Sequence, residues 1–230
     1  MNVRFGWLFI VMVVCGASSA QAQRIDTPYR FFEQTQAVGL AVAYINTDKG
    51  SVGLGPESGV AFGARYHIRL SGPFFVEAEG LYFPSTRAVL DTSIVAADST
   101  FEQVGEADMA IGLVQASLRF QVTGQRTWNG ILPFLLLGAG IAVEAKDDHE
   151  ANEAVPSEAR FDFGTTFAGQ LGAGIEFFPV SGVAIRVDAR NILWQLETPQ
   201  ALQLRDIGRT LPAEEWTNNI TASVGISIHF

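Results

Sequence analysis

Three histidines, one cysteine and a set of interleaved arginines and carboxylates are the residues of this 230-residue chain whose types and spacing could do chemistry. His149 sits in Asp147-Asp148-His149-Glu150, a run that offers donors to a divalent cation. A solvated charged loop fits the run better, because no strand or turn signal fixes those side chains. His229 stands two residues after Ser227, so in a strand both point to one face, and a hydroxyl beside an imidazole is the start of a nucleophile–base pair. That pair would line an inner wall with no route for a substrate. His67 lies between Arg65 and Arg69 at the same two-residue step and reads as part of a charged interior. The lone Cys15 excludes a disulfide framework and a cysteine zinc site. There is no glycine-rich phosphate loop and no zinc-ligand spacing. The expectation is a protein that is not an enzyme, with no catalytic, cofactor-binding or metal site and no cofactor.

These side chains need elements to hold them. The length suits one domain of moderate size or two small ones. A chain that is 48% hydrophobic and 17% charged is not disordered. Its net charge of -9 argues against a nucleic-acid partner, which needs clustered Lys and Arg. The 23 glycines and 11% aromatics lean towards β structure with tight turns.

Residues 1–22 read as a secretory signal peptide. Arg4 supplies the positive start, Trp7 to Val14 are unbroken apolar, and Ala20-Gln21-Ala22 is a small-x-small cleavage site with Ala20 and Ala22 at its key positions. An uncleaved anchor would need a longer apolar run. A lipoprotein signal at Cys15 would need a small residue where Val14 stands. Removal of the segment takes Arg4 and Cys15 and moves the net charge from -9 to -10. Beyond it the longest apolar stretch, Ile131 to Val143, has 13 residues and contains Pro133, Gly138 and Gly140. A membrane-crossing helix needs about 20 apolar residues.

Alternation with period two runs through the rest. The pattern covers Val38–Tyr44, Val60–Leu70, Val76–Tyr82, Val114–Phe120, Ile131–Ala145, Phe161–Phe177, Val183–Arg190 and Ile220–Phe230, which makes eight strands with an oily face and a small or polar face. In the fifth, Phe134 and Leu136 interrupt the polar column. Short links rich in Gly, Pro and Ser (Ser71-Gly72-Pro73, about 123–130, and Pro179-Val180-Ser181-Gly182) alternate with longer ones at about 47–57, 84–106, 146–160 and 198–216. The expected fold is all-β: an eight-stranded antiparallel up-and-down transmembrane β-barrel with short periplasmic turns and longer extracellular loops.

Charge decides which face is inside. The polar columns hold Arg65, Arg69, Arg119, Arg186 and Arg190 against Glu77, Glu79, Glu144, Glu176 and Asp188. Balanced charge suits a closed interior where ions must pair, and these ten residues are the expected interior ion network. A soluble lipocalin-like barrel with the faces reversed is the alternative. Aromatics support the membrane reading: Phe74, Phe75, Phe120, Trp128, Phe177, Phe178 and Phe230 fall near the short turns, and Tyr44, Tyr82, Phe83, Phe161, Phe163, Trp194 and Trp216 near the long loops, as two interfacial girdles would. Trp194, however, has the inward parity of its strand. The long loops, counted with Glu197, carry nine of the ten excess negative charges of the processed chain.

Together with the signal peptide and the eight alternating segments, Gly172-Ala173-Gly174-Ile175-Glu176-Phe177-Phe178 entering a short turn and the ending Val224-Gly225-Ile226-Ser227-Ile228-His229-Phe230 carry a likeness to a known family. The chain resembles the small eight-stranded outer-membrane β-barrel family of Gram-negative bacteria, the OmpA/OmpX/OmpW-like proteins, over nearly all of residues 35–230. The resemblance implies that Ile226, Ile228 and Phe230 act as the outer-membrane assembly signal read by the barrel-assembly machinery. It also implies an integral cell outer-membrane protein among outer-membrane lipid and lipopolysaccharide, with no nucleic-acid partner. The layout is then signal peptide 1–22, a short periplasmic segment 23–34 and the barrel 35–230. The expected layout has no peptidoglycan-binding domain after Phe230. The expected role is structural or surface-interacting, with a plugged lumen and acidic extracellular loops. A narrow pore for small or hydrophobic solutes is the alternative, and a lipid A-modifying enzyme ranks third.

Overall fold

The computed structural model describes residues 27–31, 33–95, 101–147, 156, 160–203 and 211–230. Cys15, Ala20, Ala22 and the Asp148-His149-Glu150 run lie outside the described residues. Ten strands form among the described residues: β1 (Tyr29–Phe31), β2 (Gln36–Asn46), β3 (Gly59–Ser71), β4 (Phe74–Val95), β5 (Phe101–Gln121), β6 (Arg126–Trp128), β7 (Ile131–Asp147), β8 (Thr165–Val180), β9 (Val183–Glu197) and β10 (Glu214–His229). One short helix, α1 (Gln200–Gln203), precedes β10. No helix of the described residues is long and apolar enough to cross a membrane.

Eight of the strands close into an antiparallel ring in the order β2-β3-β4-β5-β7-β8-β9-β10. The seam pairs β10 with β2, from Ile220 opposite Asn46 to His229 opposite Ala37. Closure leaves no unpaired sheet edge within the ring, which is what lets strands span a bilayer. Side chains alternate along the ring strands: Leu40, Leu137, Leu171, Val187 and Ile226 are exposed, while their strand neighbours face in. Tight turns join β3 to β4 and β8 to β9. Gly72 and Gly182 adopt φ of 52° and 83° there, a region where a Cβ is strained.

The long links differ from the sequence reading. Residues 84–95 and 101–106, expected in a loop, extend β4 and β5 as a hairpin, with Pro84 opposite Ala110 and Ala88 opposite Glu106. The β3–β4 pairing stops at Phe62–Tyr82, so this hairpin rises past its β3 neighbour. Val89, Ala107 and Met109 continue the buried face, a signal diluted by the polar residues between them. Residues 161–164 are not strand: β8 starts at Thr165, and Gly164 at φ 58° redirects the chain so that Phe161 and Phe163 turn inward. The expected 198–216 loop is shortened by β10, which starts at Glu214, and contains α1.

The N-terminal segment also has a place. β1 pairs with β6, Tyr29 opposite Trp128 and Phe31 opposite Arg126. A few residues later Thr35 N and Gln36 N donate to the Phe230 carbonyl at 3.1 and 3.0 Å. β6 adjoins β7, which stands opposite β2 in the ring, so the segment crosses the turn end of the barrel. A cavity of about 170 Å³ lies beneath it, bounded by Arg30, Gln34, Thr127, Phe178 and Gly182.

The interior has two levels. Towards the long loops it is apolar: Ile45, Leu81, Phe83, Ile111, Leu113, Ile192 and Trp194 pack together, roofed by Leu54, Phe161, Phe163, Leu202 and Leu211. Towards the short turns it is ionic. The outer aromatics keep two belts, Tyr44, Tyr82, Phe167 and Trp216 at one end and Phe74, Phe120, Trp128, Phe177 and Phe230 at the other. Phe75, Phe83, Phe161, Phe163 and Trp194, placed in those belts by sequence, are buried instead. Phe75 and Trp194 sit on inward strand positions, and loop geometry carries Phe161 and Phe163 inside.

Candidate functional site

The ionic level is built by inward positions of β3, β4, β5, β8 and β9. Strand periodicity places Arg65 on β3, Glu77 and Glu79 on β4, Arg119 on β5, Glu176 on β8, and Arg186, Asp188 and Arg190 on β9 with their side chains all inside. Burial is near complete: Glu77 is 1% exposed, and Arg119 and Glu176 are 0% exposed. Charges this deep must be paired and hydrogen-bonded.

They are. Arg186 grips Glu77 with two nitrogens, Nη2 donating to Oε1 at 3.0 Å and Nη1 to Oε2. Arg190 Nη1 donates to Glu79 Oε2 and also to Gln170 Oε1 at 3.1 Å. Arg65 Nε donates to Glu79 Oε1, Nη1 to Asp188 Oδ2 at 3.1 Å and Nη2 to Ser223 Oγ at 2.8 Å. Asp188 accepts further from Arg186 Nε at 2.9 Å and Arg190 Nε at 2.6 Å, so three arginines converge on one carboxylate. Arg119 Nη1 donates to Glu176 Oε1 at 2.8 Å, and Nη2 lies 2.6 Å from Oε2 as an ion-pair contact. Paired donors and acceptors in fixed planes are the strong form of a charged hydrogen bond.

Two of the ten sequence-assigned residues stand apart. Arg69, near the turn end of β3, donates through Nη2 to the Gln34 carbonyl at 2.7 Å and lies over the Phe75 ring, 5.4 Å from its centroid. Glu144, near the loop end of β7, accepts from Phe163 N and Gly164 N at 3.0 and 3.3 Å and fixes the entry to β8. Both have inward parity, but each lies too close to a barrel end to reach the group. Ile226, Ile228 and Phe230 face outward, Phe230 at 59% exposure against 5% for His229. Phe230 N donates to Gln36 O at 2.9 Å, which locks the last residue into the seam.

Sequence reasoning missed an aromatic in the middle of the charges. Phe134 on β7 is buried, with the Arg119 and Arg186 guanidinium carbons 4.0 and 4.4 Å from its ring centroid. Its ring stacks against both cations at once. The signal was its inward parity: Phe134 and Leu136 interrupt the polar column because they belong to the interior. Arg87, assigned to a loop by sequence, is also buried, its guanidinium carbon 5.6 Å from the Phe161 ring centroid.

A closed antiparallel barrel is also what the comparisons with known proteins give. The profile of the outer membrane protein beta-barrel domain matches residues 8–230. This chain belongs to that family. It is an integral outer-membrane protein. Among solved structures this family member is similar to the outer membrane protein OprG from Pseudomonas aeruginosa, at 11% identity and TM-score 0.55, covering 89% of this chain and 99% of that one. Neisserial surface protein A is similar at 10% identity and TM-score 0.48, over 89% and 98% of the two chains. Ail, the attachment invasion locus protein of Yersinia pestis, is similar at 14% identity and TM-score 0.39, over 87% and 100%. Identities this low speak to the fold alone. No curated protein matches the chain at a significant level.

Proposed function

We propose that this barrel is a structural or surface-interacting outer-membrane protein whose lumen is plugged. The observation that carries the reading is the pairing of β9 with β4 across the barrel: the Arg186–Glu77 and Arg190–Glu79 contacts join strands that are four places apart in a ring of eight. Eight strands enclose a space that side chains fill, and here salt bridges span its width. The apolar level above them supports the same reading, because Leu81, Ile111 and Ile192 offer ions and sugars no hydrogen-bonding surface. Function then falls to the rim. Asp48, Glu197 and Glu214 are exposed near the long-loop end, and an acidic rim attracts basic partners or holds cations beside anionic lipopolysaccharide. Liposome swelling tests the plug. Vesicles carrying the folded protein should swell in small sugars no faster than empty vesicles, and swelling at a porin's rate would refute it.

A further inference from the structure

Below the ion network, three side chains converge in an arrangement that pairing alone does not explain. His67 of β3, Glu176 of β8 and His229 of β10 are buried, and one potential ligand atom from each lies within 4.8 Å of the others. The imidazole rings are 5.2 Å apart. Phe75 meets His67 edge-on at 5.5 Å and Phe178 meets His229 edge-on at 4.9 Å, so both rings are held. Nε2 of His67 is buried without a hydrogen-bond partner among the described residues. A buried polar atom left in that state calls for something that fills the gap.

We propose that His67, Glu176 and His229 form a site for a divalent first-row transition cation, with zinc the best fit. Two imidazoles and one carboxylate are a donor set that zinc takes in tetrahedral geometry with a fourth position for water. Calcium and magnesium prefer all-oxygen sets. Zinc–nitrogen bonds of about 2.0–2.1 Å place tetrahedral ligands roughly 3.3 Å apart. The present spread of up to 4.8 Å must close through small rotations of the three side chains. Ser227 Oγ, 2.9 Å from His229 Nε2, orients that ring and leaves the ligating role to Nδ1.

Arg119 is the competing group. Its Nη1 donates to Glu176 Oε1 and is 3.4 Å from His67 Nδ1, while Glu176 Oε2 lies 2.6 Å from Nη2 and accepts no hydrogen bond among the described residues. A carboxylate oxygen has a second lone pair for the metal, and His67 offers Nε2. If Glu176 swings towards the ion, Arg119 still has Glu77, whose Oε2 is 3.8 Å from its Nη1. The His229 backbone N–H donates to the Gly182 carbonyl in the β8–β9 turn, so the site sits at the turn end of the lumen.

The test uses the full barrel, folded in detergent micelles without a histidine tag, titrated with Zn²⁺ by calorimetry and with Co²⁺ by visible absorption. The site predicts one saturable zinc per barrel and the intense bands of tetrahedral cobalt. His67→Ala and His229→Ala should each weaken zinc more than ~10-fold, while His149→Ala leaves it unchanged. Heat-modifiable mobility checks that each variant is folded, and a variant that fails is replaced by its Gln counterpart. Absent cobalt bands in the wild type would overturn the proposal. So would zinc binding that survives in both the His67 and His229 variants, or that His149→Ala alone removes.

Discussion

Arg186 on β9 and Glu77 on β4 meet as a two-nitrogen, two-oxygen pair although 109 residues separate them and their strands stand on opposite sides of the ring. The contact spans the lumen, and Arg190–Glu79 repeats it between the same two strands. Such bridges tie opposite walls together, whereas the backbone ladder ties only neighbours.

Asp188 is the keystone of this group because Arg65, Arg186 and Arg190 all donate to it. Asp188→Ala should cost about 3–5 kcal/mol, the loss seen when one partner of a buried ion pair is removed. Urea unfolding of the barrel in lipid vesicles measures this. Glu57→Ala is the control: its Lys49 partner lies in an exposed loop pair that contributes ~0–1 kcal/mol. Equal losses in the two variants would contradict the network.

Phe134 should be sensitive in a way its neighbours are not. Phe134→Ala should cost about 3–5 kcal/mol through the cavity it opens. Phe134→Leu keeps most of the apolar volume but loses both ring–guanidinium contacts, so roughly 1–2 kcal/mol should remain missing. The same unfolding titration reads both, and a Leu variant as stable as wild type would remove the stacking from the account.

Gly174 tests how tightly the wall meets this group. A Cβ there would lie 2.6 Å from the Phe134 ring, the Asp188 Cβ and the Val187 carbonyl oxygen. Gly174→Ala should therefore destabilise by about 1–3 kcal/mol through overpacking. Gly80→Ala, where a Cβ meets nothing, should be neutral by the same measurement.

The barrel itself was open to reading because strand parity is local. Val38 to Tyr44 and Ile220 to Phe230 reveal their faces without any knowledge of partners, and the charged columns reveal the inside. The pairings were not legible in the same way. Strand adjacency alone sets Arg186 and Arg190 against Glu176, and Arg65 and Arg69 against Glu77 and Glu79. Arg65 does reach Glu79, but Arg186 and Arg190 reach Glu77 and Glu79 across the lumen. Which residues meet across a diameter depends on strand tilt and shear, which no local pattern encodes. The apolar upper level was hidden for two reasons: Leu54, Leu202 and Leu211 of its roof come from segments with no strand periodicity, and Phe161 and Phe163 alternate like a strand although β8 starts only at Thr165.

Outward parity at the C-terminal strand gives a prediction about biogenesis. Phe230→Asp puts charge on the lipid-facing side and should sharply reduce the fraction of protein that reaches the folded, heat-modifiable band in cells. His229→Ala, on the inner face, should reduce it far less. Equal yields of both would separate Phe230 from assembly.

Single-channel recording in planar bilayers tests the plugged lumen most directly. The wild-type barrel should show no steady open current, because two salt bridges span the lumen beneath an apolar level. A steady, porin-like conductance from the folded wild-type protein would contradict the account.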